Sequence, residues 1–579
     1  MDFYSTGIPP LTYRKLEGNS RMSSGNGLRS GGQVLVDQLR IHGVDTVFCV
    51  PGESYLTVID GLHDAQNEIK TVACRQEGGA TNMAEAYGKL TGRPGVAMVT
   101  RGPGACNGSI GVHTAMQDST PMVIFIGQVA RDQEYREAFQ EVDYRKFYGA
   151  ICKEVIQIEN ANRVPELVSQ AFHVAASGRP GPVAVAIPED MQRDMVDVAD
   201  ARPFQTVRPE VAPKAIDTFR DHLASAARPL MILGGAGWSE KACADIRVFA
   251  EANALPVATS FRCQDLFDNT HSNYAGELGT SASPNLAQRL KDADMLIVVG
   301  SRLGEMTSGG YSLVDIPVPR QKLIHVYMDS LELGRIYEAD LAIVASMESF
   351  AAAVRLMKPV ADKRWLDWLK QAHQEYLNNL KPSLEMSGVD MHEVMNVLNN
   401  KLPSDAIITN DAGNFSGWAQ RFYRYRKYRT QLGPTSGAMG YGIPAAISAR
   451  LICPNRPVIC FVGDGGALMS GQEVATAVQY GSDPIILIIN NNSYGTIRMH
   501  QERDYPDRTL ATNLLNPDFA KWAESFGGFG AVVEQTEDFA PIFDAAMTAG
   551  RISVIEIRVD LSTITTRTTL DMVRGAGLK

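Results

Sequence analysis

The sequence predicts an α/β protein of three Rossmann-like domains, each built around a doubly wound parallel sheet. Short apolar runs bounded by glycine and proline alternate with amphipathic stretches along most of the 579 residues, which is the pattern of βαβ units. A chain of this length accommodates three or four domains of about 150 residues. Hydrophobic content of 45% and charged content of 21% are typical of a globular protein rather than a disordered one.

The apolar runs fall into three blocks, and each block predicts one domain. Residues 1–28 lack an apolar signal core and end in a Gly- and Ser-rich stretch, so we interpret them as a disordered leader. The three predicted domains are residues 29–195, 205–360 and 385–565. A proline-punctuated stretch at 199–213 predicts the linker between the first two domains.

Charge and cysteine content exclude several classes of partner. The 55 Lys and Arg residues against 65 Asp and Glu residues give a net charge of −10, which argues against binding to nucleic acid or to an anionic membrane. No apolar run approaches the roughly 18 residues of a membrane span. The eight cysteines are scattered without a CxxC pair, which favours reduced thiols and a cytoplasmic location.

The first and third blocks share a repeated spacing. Gly102 and Pro121 are 19 positions apart, and so are Gly465 and Pro484. Each pair brackets a glycine turn, a helix and the proline that opens the next strand. An ancient duplication explains this spacing, and a shared fold without duplication explains it equally well.

The third block contains the most specific chemical motif. The segment Gly463-Asp464-Gly465 follows an apolar strand, and Asn491 follows the next strand 27 residues later. Parallel sheets bind ligands at the edge where such strands end. A carboxylate, an amide oxygen and the nearby carbonyl of Ser493 suit Mg²⁺, and the glycines at 463, 465 and 466 let backbone N–H groups approach a diphosphate. The alternative is an ordinary βαβ turn beside an Asn-rich loop.

This pair of elements resembles the thiamine diphosphate motif of a superfamily of decarboxylases and carboligases. The resemblance covers nearly the whole chain after the leader, and it implies pyrimidine-binding, central and diphosphate-binding domains in that order. It implies that thiamine diphosphate binds with Mg²⁺, and that Asp464, Asn491 and the carbonyl of Ser493 hold the metal. The other cofactor contacts that we predict in the diphosphate-binding and pyrimidine-binding domains are Gly52, Asn414, Phe415, Tyr494 and Gly495.

Two further segments match positions that the superfamily uses to activate the cofactor. Glu77 in CRQEGGA matches the acid that shares a proton with the pyrimidine ring, so that the imino group removes the C2 proton of the thiazolium. A glutamate favoured only by the helix dipole is the alternative. In GAMGYG, Met439 matches the apolar wedge that bends the cofactor, and the carbonyl of Gly437 matches the acceptor of its amino group. A gap-filling core methionine is the alternative there.

Several segments resemble the acetolactate synthases in particular. GPGACN, DSTPMV, GQV and AFQE occur in the matching order. This resemblance implies that Phe139 and Gln140 line the cavity over the thiazolium and that Lys153 lies at its mouth. For Lys153, a solvated surface charge is an equal alternative. The implied substrates are 2-keto acids or aldehydes, and the implied assembly is a homodimer or homotetramer.

The chain also departs from the acetolactate synthase pattern. Glu53 and Ser54 replace the last two residues of the PGGA motif, and His500 stands where the family has a tryptophan. We predict that these residues border the substrate, and that an ionised Glu53 repels an acceptor carboxylate and favours an uncharged acceptor. His113 is a further substrate-site candidate, with a core histidine as the alternative. Arg302 is retained without the acidic stretch that follows it in FAD-binding relatives, so FAD is allowed but not required.

The resulting functional prediction is a thiamine diphosphate- and Mg²⁺-dependent carboligase. It decarboxylates a 2-keto acid and transfers the activated aldehyde to a carbonyl acceptor. A non-oxidative 2-keto acid decarboxylase or carbon–carbon lyase on the same scaffold is the alternative, and the lack of an adjacent His-His pair disfavours it. A non-enzymatic sensing or assembly module would lack Glu77, Asp464 or Asn491, and all three are present.

Overall fold

The computed structural model describes residues 27–384 and 387–577 and contains three six-stranded parallel sheets with helices on their faces. The predicted α/β fold class is confirmed. Residues 1–26 of the predicted leader lie outside the described residues. Within the described part of the chain, every helix is too short or too polar to cross a bilayer.

The first sheet lies in the N-terminal part of the chain, and its central strands are fully buried. The first and eighth strands form a separate antiparallel pair beside it. The strands are β1 (Arg29–Ser30), β2 (Thr46–Cys49), β3 (Lys70–Ala73), β4 (Gly95–Val99), β5 (Met122–Gln128), β6 (Glu154–Gln157), β7 (Pro182–Pro188) and β8 (Met195–Val196). The helices are α1 (Gly31–Ile41), α2 (Leu56–Asp64), α3 (Glu77–Thr91), α4 (Pro103–Asp118), α5 (Tyr144–Tyr148) and α6 (Val164–Ala176).

The second sheet forms the middle of the chain, after a segment at 197–212 that contains no helix or strand. Its strands are β9 (Pro229–Leu233), β10 (Val257–Thr259), β11 (Tyr274–Glu277), β12 (Met295–Val299), β13 (Lys322–Tyr327) and β14 (Leu341–Val344). Its helices are α7 (Pro213–Ser225), α8 (Glu240–Asn253), α9 (Pro284–Asp292), α10 (Met347–Leu356) and α11 (Leu366–Asn379).

The third sheet lies in the C-terminal part. Its strands are β15 (Ile407–Asn410), β16 (Gln431–Leu432), β17 (Val458–Gly463), β18 (Ile485–Asn490), β19 (Phe529–Val533) and β20 (Ser553–Arg558). The helices are α12 (Met391–Lys401), α13 (Ser416–Phe422), α14 (Gly442–Ile452), α15 (Asp464–Ser470), α16 (Glu473–Tyr480), α17 (Gly495–Asp504), α18 (Phe519–Ser525), α19 (Phe539–Thr548) and α20 (Leu570–Gly577).

The first and third sheets have the same strand order. Numbered by position along the chain, the strands of each sheet run 2-1-3-4-6-5 across it, whereas the second sheet runs 3-2-1-4-5-6. The two 19-residue spacings connect equivalent strands, β4 to β5 and β17 to β18. The identical strand order agrees with a duplication, and it agrees equally with a shared fold that arose without one.

The strand order also determines where a ligand can bind. In an open parallel sheet, a crevice forms where neighbouring strands send their connections to opposite faces, at the carboxyl ends of the strands. In the first sheet this point lies between β2 and β4, and in the third it lies between β15 and β17. The second sheet has its equivalent point between β9 and β12.

The first and third domains pack together through α3 and α14, and their buried side chains belong to one continuous apolar cluster. Ser448 donates a 2.8 Å hydrogen bond from its hydroxyl to the carbonyl of Met83 across this contact. The Tyr441 hydroxyl donates to the fully buried Glu85 carboxylate at 2.6 Å, and Thr120 donates to the other Glu85 oxygen. These bonds hold the two related domains in one arrangement within the chain.

Candidate active site

The GDG segment of the third domain lies at the switch point of its sheet. Asp464 is the first residue of α15, directly after β17, and is 3% exposed. Burial raises the pKa of its carboxyl group, with hydrogen bonds from Asn516 and backbone N–H groups opposing the shift. No lysine or arginine of the described chain forms an ion pair with it. A buried carboxylate without a cationic side chain is suited to a metal ion.

The loop after β18 forms the other wall of this crevice. The Asn491 side-chain oxygen accepts a hydrogen bond from the Ser493 N–H at 3.1 Å, which shapes the turn. The buried Ser493 hydroxyl donates to the carbonyl of Thr512, and the Tyr494 N–H donates to the same carbonyl. These bonds anchor the loop against residues 512–514, so that its oxygen atoms are held beside the end of β17.

Asn516 is a site residue that the sequence analysis missed. Its amide nitrogen lies 2.7 Å from an Asp464 oxygen, 3.0 Å from the Asn490 side-chain oxygen and 3.2 Å from that of Asn492. One amide group therefore links the GDG turn to the Asn-rich loop. The residue lies in an irregular segment more than 20 positions after the motif, so no local pattern in the sequence identifies it.

Glycines are required where the loops approach one another. A Cβ atom on Gly465 would lie 2.5 Å from the Tyr494 ring, and one on Gly463 would lie 2.9 Å from the Phe415 ring. Neighbouring Asn414 exchanges hydrogen bonds with the Thr496 hydroxyl on α17. The predicted cofactor contacts at 414, 415, 463, 465 and 494 are thus brought to one edge of the third sheet.

The GAMGYG loop is held at the same edge by Asp411, a second residue that sequence reasoning missed. One Asp411 oxygen accepts from the Gly440 N–H at 2.9 Å, and the same oxygen would lie 2.8 Å from a Cβ on Gly466. Burial raises the pKa of Asp411 to about 6. The bond places half-buried Met439 and exposed Gly437 next to the crevice, and a Cβ on Gly437 would meet no atom within 4 Å.

The first domain brings a second group of predicted residues to its own switch point. Glu77 is the first residue of α3 and is 9% exposed, and one of its oxygens accepts a 3.0 Å hydrogen bond from the Asn107 side chain. Its other oxygen would lie 3.1 Å from a Cβ on Gly104 at the start of α4. The Glu77 carboxylate therefore lies between the starts of two helices, where N–H dipoles favour negative charge.

The segment that follows β4 contacts the remaining first-domain candidates. A Cβ on Gly52 would lie 2.4 Å from the Thr100 side chain, and one on Gly102 would lie 2.7 Å from the Gln140 carbonyl. Gln140 has a φ of +66°, and Phe139 is 73% exposed. These contacts bring the AFQ segment to the crevice edge that also bears Glu77.

Glu53 and Ser54 lie at this edge but have different environments. Ser54 is fully buried, and its hydroxyl hydrogen-bonds that of Thr100 at 2.9 Å, so it stabilises the strand ends. The Glu53 side chain is 65% exposed and forms a 2.9 Å ion pair with Arg101. The Glu53 charge is therefore paired with a neighbouring cation, which the local sequence does not reveal.

Models of known protein families match most of the chain. Three family models match, described as the N-terminal TPP-binding domain, the central domain and the C-terminal TPP-binding domain of thiamine pyrophosphate enzymes. They cover residues 29–147, 216–354 and 411–557 respectively. The chain belongs to the thiamine pyrophosphate enzymes.

Three of the proteins similar to this thiamine pyrophosphate enzyme are named as acetolactate synthase large subunits. The acetolactate synthase large subunit of Parasynechococcus marenigrum is 33% identical, over 92% of this chain and 87% of that protein. The large subunit of acetolactate synthase isozyme 2 from Escherichia coli is 29% identical over 92% of this chain and 96% of its own length. The Corynebacterium glutamicum large subunit is 31% identical over 89% and 84%.

The residues at the third-domain crevice fit the cofactor of this family. The donors at 464, 491 and 493 are all oxygen atoms, which suits a hard divalent cation next to a diphosphate. The open space at Gly437 leaves room near Met439, for which a wedge role is predicted. Among the described residues, no hydrogen bond joins Glu77 to Asp464, Asn491 or Met439.

Lys153 does not lie with the other substrate-site candidates. Its ammonium group donates to the carbonyls of Val174 and Ser177 at the end of α6, where positive charge satisfies free carbonyls and the helix dipole. In this thiamine pyrophosphate enzyme Lys153 therefore caps the end of α6, and its position at the mouth of the substrate cavity stays a prediction. The carbonyl groups that attract it belong to a helix end that the sequence pattern did not connect with position 153.

The two predicted histidines are also separated. His113 is half-buried and lines a cavity of about 810 Å³ between the three domains, rather than the crevice that contains Glu77. His500 lies in α17, and its Nδ1 atom is shielded from solvent without a hydrogen-bond partner. His500 therefore lies on the helix that follows the Asn-rich loop, whereas His113 lines the cavity between the domains.

The cavity of about 810 Å³ is lined by Arg302, the residue on which the expectation of FAD binding rests. It lies at the switch point of the second sheet, next to the glycine turn at 234–237 and to Arg302. Arg302 donates to the Gln117 carbonyl at 2.8 Å, and burial lowers its pKa. The cavity is large enough for a nucleotide, and binding of FAD stays a prediction that the visible absorbance of the purified protein would test.

The burial of Lys153 predicts a pH-dependent stability. Burial lowers the pKa of Lys153 to about 8 from 10.5, with Asp329 opposing the shift. Between these two pH values the unfolded chain binds more protons than the folded one, so this contribution to stability is complete above pH 10.5 and decreases as pH falls to 8. We expect the Tm of the parent relative to Lys153→Met to increase across that range.

The matched control is Lys370→Met, which changes an exposed lysine. Its Tm difference from the parent should stay flat over the same pH range in calorimetric scans. A difference for Lys153→Met that is equally flat would contradict the lowered pKa of a buried Lys153.

Proposed function

We propose that this enzyme is a thiamine diphosphate- and Mg²⁺-dependent carboligase of acetolactate synthase type. It decarboxylates a 2-keto acid and transfers the activated aldehyde to a carbonyl acceptor. The observation that carries the proposal is that two sheets of identical strand order present Glu77 at one switch point and Asp464 at the other. The names of the relatives support the acetolactate synthase branch.

In this proposal the third domain holds the diphosphate and its metal. Asp464, Asn491 and the Ser493 carbonyl bind Mg²⁺, which neutralises the phosphate charge. The glycines at 463, 465 and 466 allow backbone N–H groups at the start of α15 to approach the phosphates. Asn516 and Asp411 are positioning residues, because one orients the Asp464 carboxylate and the other holds the GAMGYG loop.

Glu77 is the proposed proton-transfer group. Thiamine diphosphate, when bound, would supply a carbon nucleophile for the substrate carbonyl and a cationic thiazolium ring that accepts the electron pair released by decarboxylation. Glu77 holds a proton against the pyrimidine ring, and the hydrogen bond from Asn107 fixes the carboxylate orientation for that contact. Met439 supplies the apolar support below the cofactor, and exposed Phe139 with Gln140 excludes water on the substrate side.

We propose a homodimer, or a homotetramer formed from two dimers, as the active state. Among the described residues, no hydrogen bond within one chain joins Glu77 to the proposed metal ligands, and both edges expose apolar side chains. Ile110 on α4 is 39% exposed, and Leu468 and Met469 on α15 are each 48% exposed. A second copy that pairs these edges would bring Glu77 of one protomer to the metal site of its partner. Light scattering that finds an active monomer would contradict this.

The free state of all eight cysteines supports the prediction of a cytoplasmic enzyme. The proposed partners are small 2-keto acids or aldehydes.

Product analysis tests the reaction. The protein loaded with thiamine diphosphate and Mg²⁺ is given a panel of 2-keto acids, alone and with aldehyde acceptors, and products are identified by mass. With pyruvate alone, carboligation yields acetolactate and simple decarboxylation yields acetaldehyde. We expect the carboligation product to dominate. Acetaldehyde as the main product would support the decarboxylase alternative instead.

The metal ligands predict a loss of cofactor affinity. Asp464→Ala and Asn491→Ala each remove one oxygen ligand and should weaken Mg²⁺-dependent binding of thiamine diphosphate by at least about 10-fold. Isothermal calorimetry measures this directly. Asp544→Ala, which changes an exposed carboxylate paired with Lys401, is the matched control and should bind like the parent. Parental affinity in both site variants would refute this assignment.

The proposed role of Glu77 predicts a separation of binding from turnover. Glu77→Gln preserves the shape of the side chain but removes its acidic proton, so turnover should fall about 100-fold or more while cofactor affinity changes little. The direct readout is exchange of the C2 proton of bound thiamine diphosphate, followed by NMR. If exchange in Glu77→Gln is as fast as in the parent, Glu77 is not the activating acid.

A further inference from the structure

Arg101 is a buried guanidinium group at the first-domain crevice that the sequence analysis did not use. Its side chain is 9% exposed, and it lies between β4 and α4. One terminal nitrogen donates to Glu53 at 2.9 Å and the other to Glu189 at 3.1 Å. The Nε atom donates to the Phe139 carbonyl at 3.2 Å. These contacts link three segments that follow β2, β5 and β7.

The surroundings of Arg101 place it beside the proposed reaction site. Its neighbour Thr100 contacts Gly52, and Gly102 contacts Gln140. Gly104, three residues after Arg101, lies against the Glu77 carboxylate, since a Cβ atom there would be 3.1 Å from a Glu77 oxygen. The segment 100–104 therefore touches the proposed proton-transfer group and the proposed substrate-cavity residues, and Arg101 is the cationic side chain of this segment.

The two carboxylates on Arg101 differ in how readily they can leave. The Glu189 side chain is 28% exposed, whereas that of Glu53 is 65% exposed. An exposed carboxylate regains its hydration when it turns into water, so its ion pair is weak. The largely buried guanidinium, in contrast, needs an anionic partner at all times. A carboxylate arriving from solvent can thus replace Glu53 while Glu189 stays.

We propose that Arg101 binds the carboxylate of the 2-keto acid substrate and that Glu53 is the counter-ion which the substrate displaces. This inference rests on the proposed function and assigns its substrate-recognition residue. While the site is empty, Glu53 occupies the terminal nitrogen of Arg101 that the substrate would use. It raises selectivity, because an uncharged ligand cannot displace it. The exchange conserves charge at the guanidinium, since one carboxylate enters as the other swings into water.

The first test measures pyruvate binding to protein loaded with thiamine diphosphate and Mg²⁺, in a Glu77→Gln background that slows turnover. Arg101→Met should weaken pyruvate binding about 10-fold or more, because it removes a charge-assisted hydrogen bond, and Arg101→Lys should restore part of the loss. Glu53→Gln should tighten pyruvate binding several-fold. Glu189→Gln, the matched control on the same guanidinium, should not tighten it.

A double-mutant cycle separates displacement from simple repulsion. If Glu53 acts by occupying Arg101, Glu53→Gln should no longer tighten pyruvate binding when Arg101→Met is present. If Glu53 repels the substrate directly, the gain persists in the double variant and the proposal is overturned.

Steady-state kinetics provide a second measurement. A purely structural role of Arg101 would not produce the change in KM described next. In chains with Glu77 intact, Arg101→Lys should raise the KM for the 2-keto acid with a smaller change in kcat, and should leave the KM for an aldehyde acceptor unchanged.

The outcomes distinguish this inference from the proposed function. A parent protein that does not bind thiamine diphosphate contradicts the proposed function. A parent that binds the cofactor but binds no pyruvate, or an Arg101→Met variant with parental cofactor and pyruvate affinities, overturns the role of Arg101 alone.

Discussion

The candidate active site depends on the strand order 2-1-3 at the centre of the first and third sheets. Because the connections from the first and third strands leave on opposite faces, the loops after those strands separate and form a crevice. Glu53, Arg101 and Gly102 follow two such strands in the first sheet. Asp411 and Asp464 follow the equivalent strands in the third sheet. Glu77, Met439 and Asn491 lie on loops after neighbouring strands of the same sheets. The buried strands beneath all of these loops hold them in place.

The packing of α3 against α14 determines how the two crevices are related within one chain. Glu85 lies fully buried in this contact, where burial raises its pKa and Thr120 and Tyr441 satisfy its oxygens. Lys89 pairs with Asp118 and donates to the Gly433 carbonyl nearby. A buried polar network with satisfied partners favours one packing arrangement over sliding of the helices. The same helix α3 starts with Glu77, so this contact also positions the proposed catalytic acid.

The charged side chains discussed for the site are already paired with other groups of the protein, and this pairing limits their effect on a substrate. Glu53 alone suggests a negative pocket, but Arg101 balances it and Glu189 adds a second carboxylate to the same guanidinium. Lys153 alone suggests a cation at the cavity mouth, yet its charge belongs to the end of α6. The chemistry available to a substrate is therefore determined by which charges remain free after these internal pairs have formed.

The sequence by itself determined the fold class and the local motifs. Alternating apolar runs and turn residues are local signals, so the three parallel sheets, the GDG turn before α15 and the position of Glu77 at the start of α3 could be predicted from short segments. The match of several motifs in order was also sufficient to indicate the enzyme family.

The tertiary structure decided which side chains meet. Asn516 reaches Asp464 across 52 positions, Arg101 reaches Glu189 across 88, and Lys153 reaches Ser177 across 24. These contacts cannot be predicted from the periodicity or the residue spacing of the sequence, because each depends on strand order and on the packing of separate helices. The same reason separates His113 from the crevice that contains Glu77: its helix α4 begins at that crevice, but after almost three turns His113 borders the cavity between the domains.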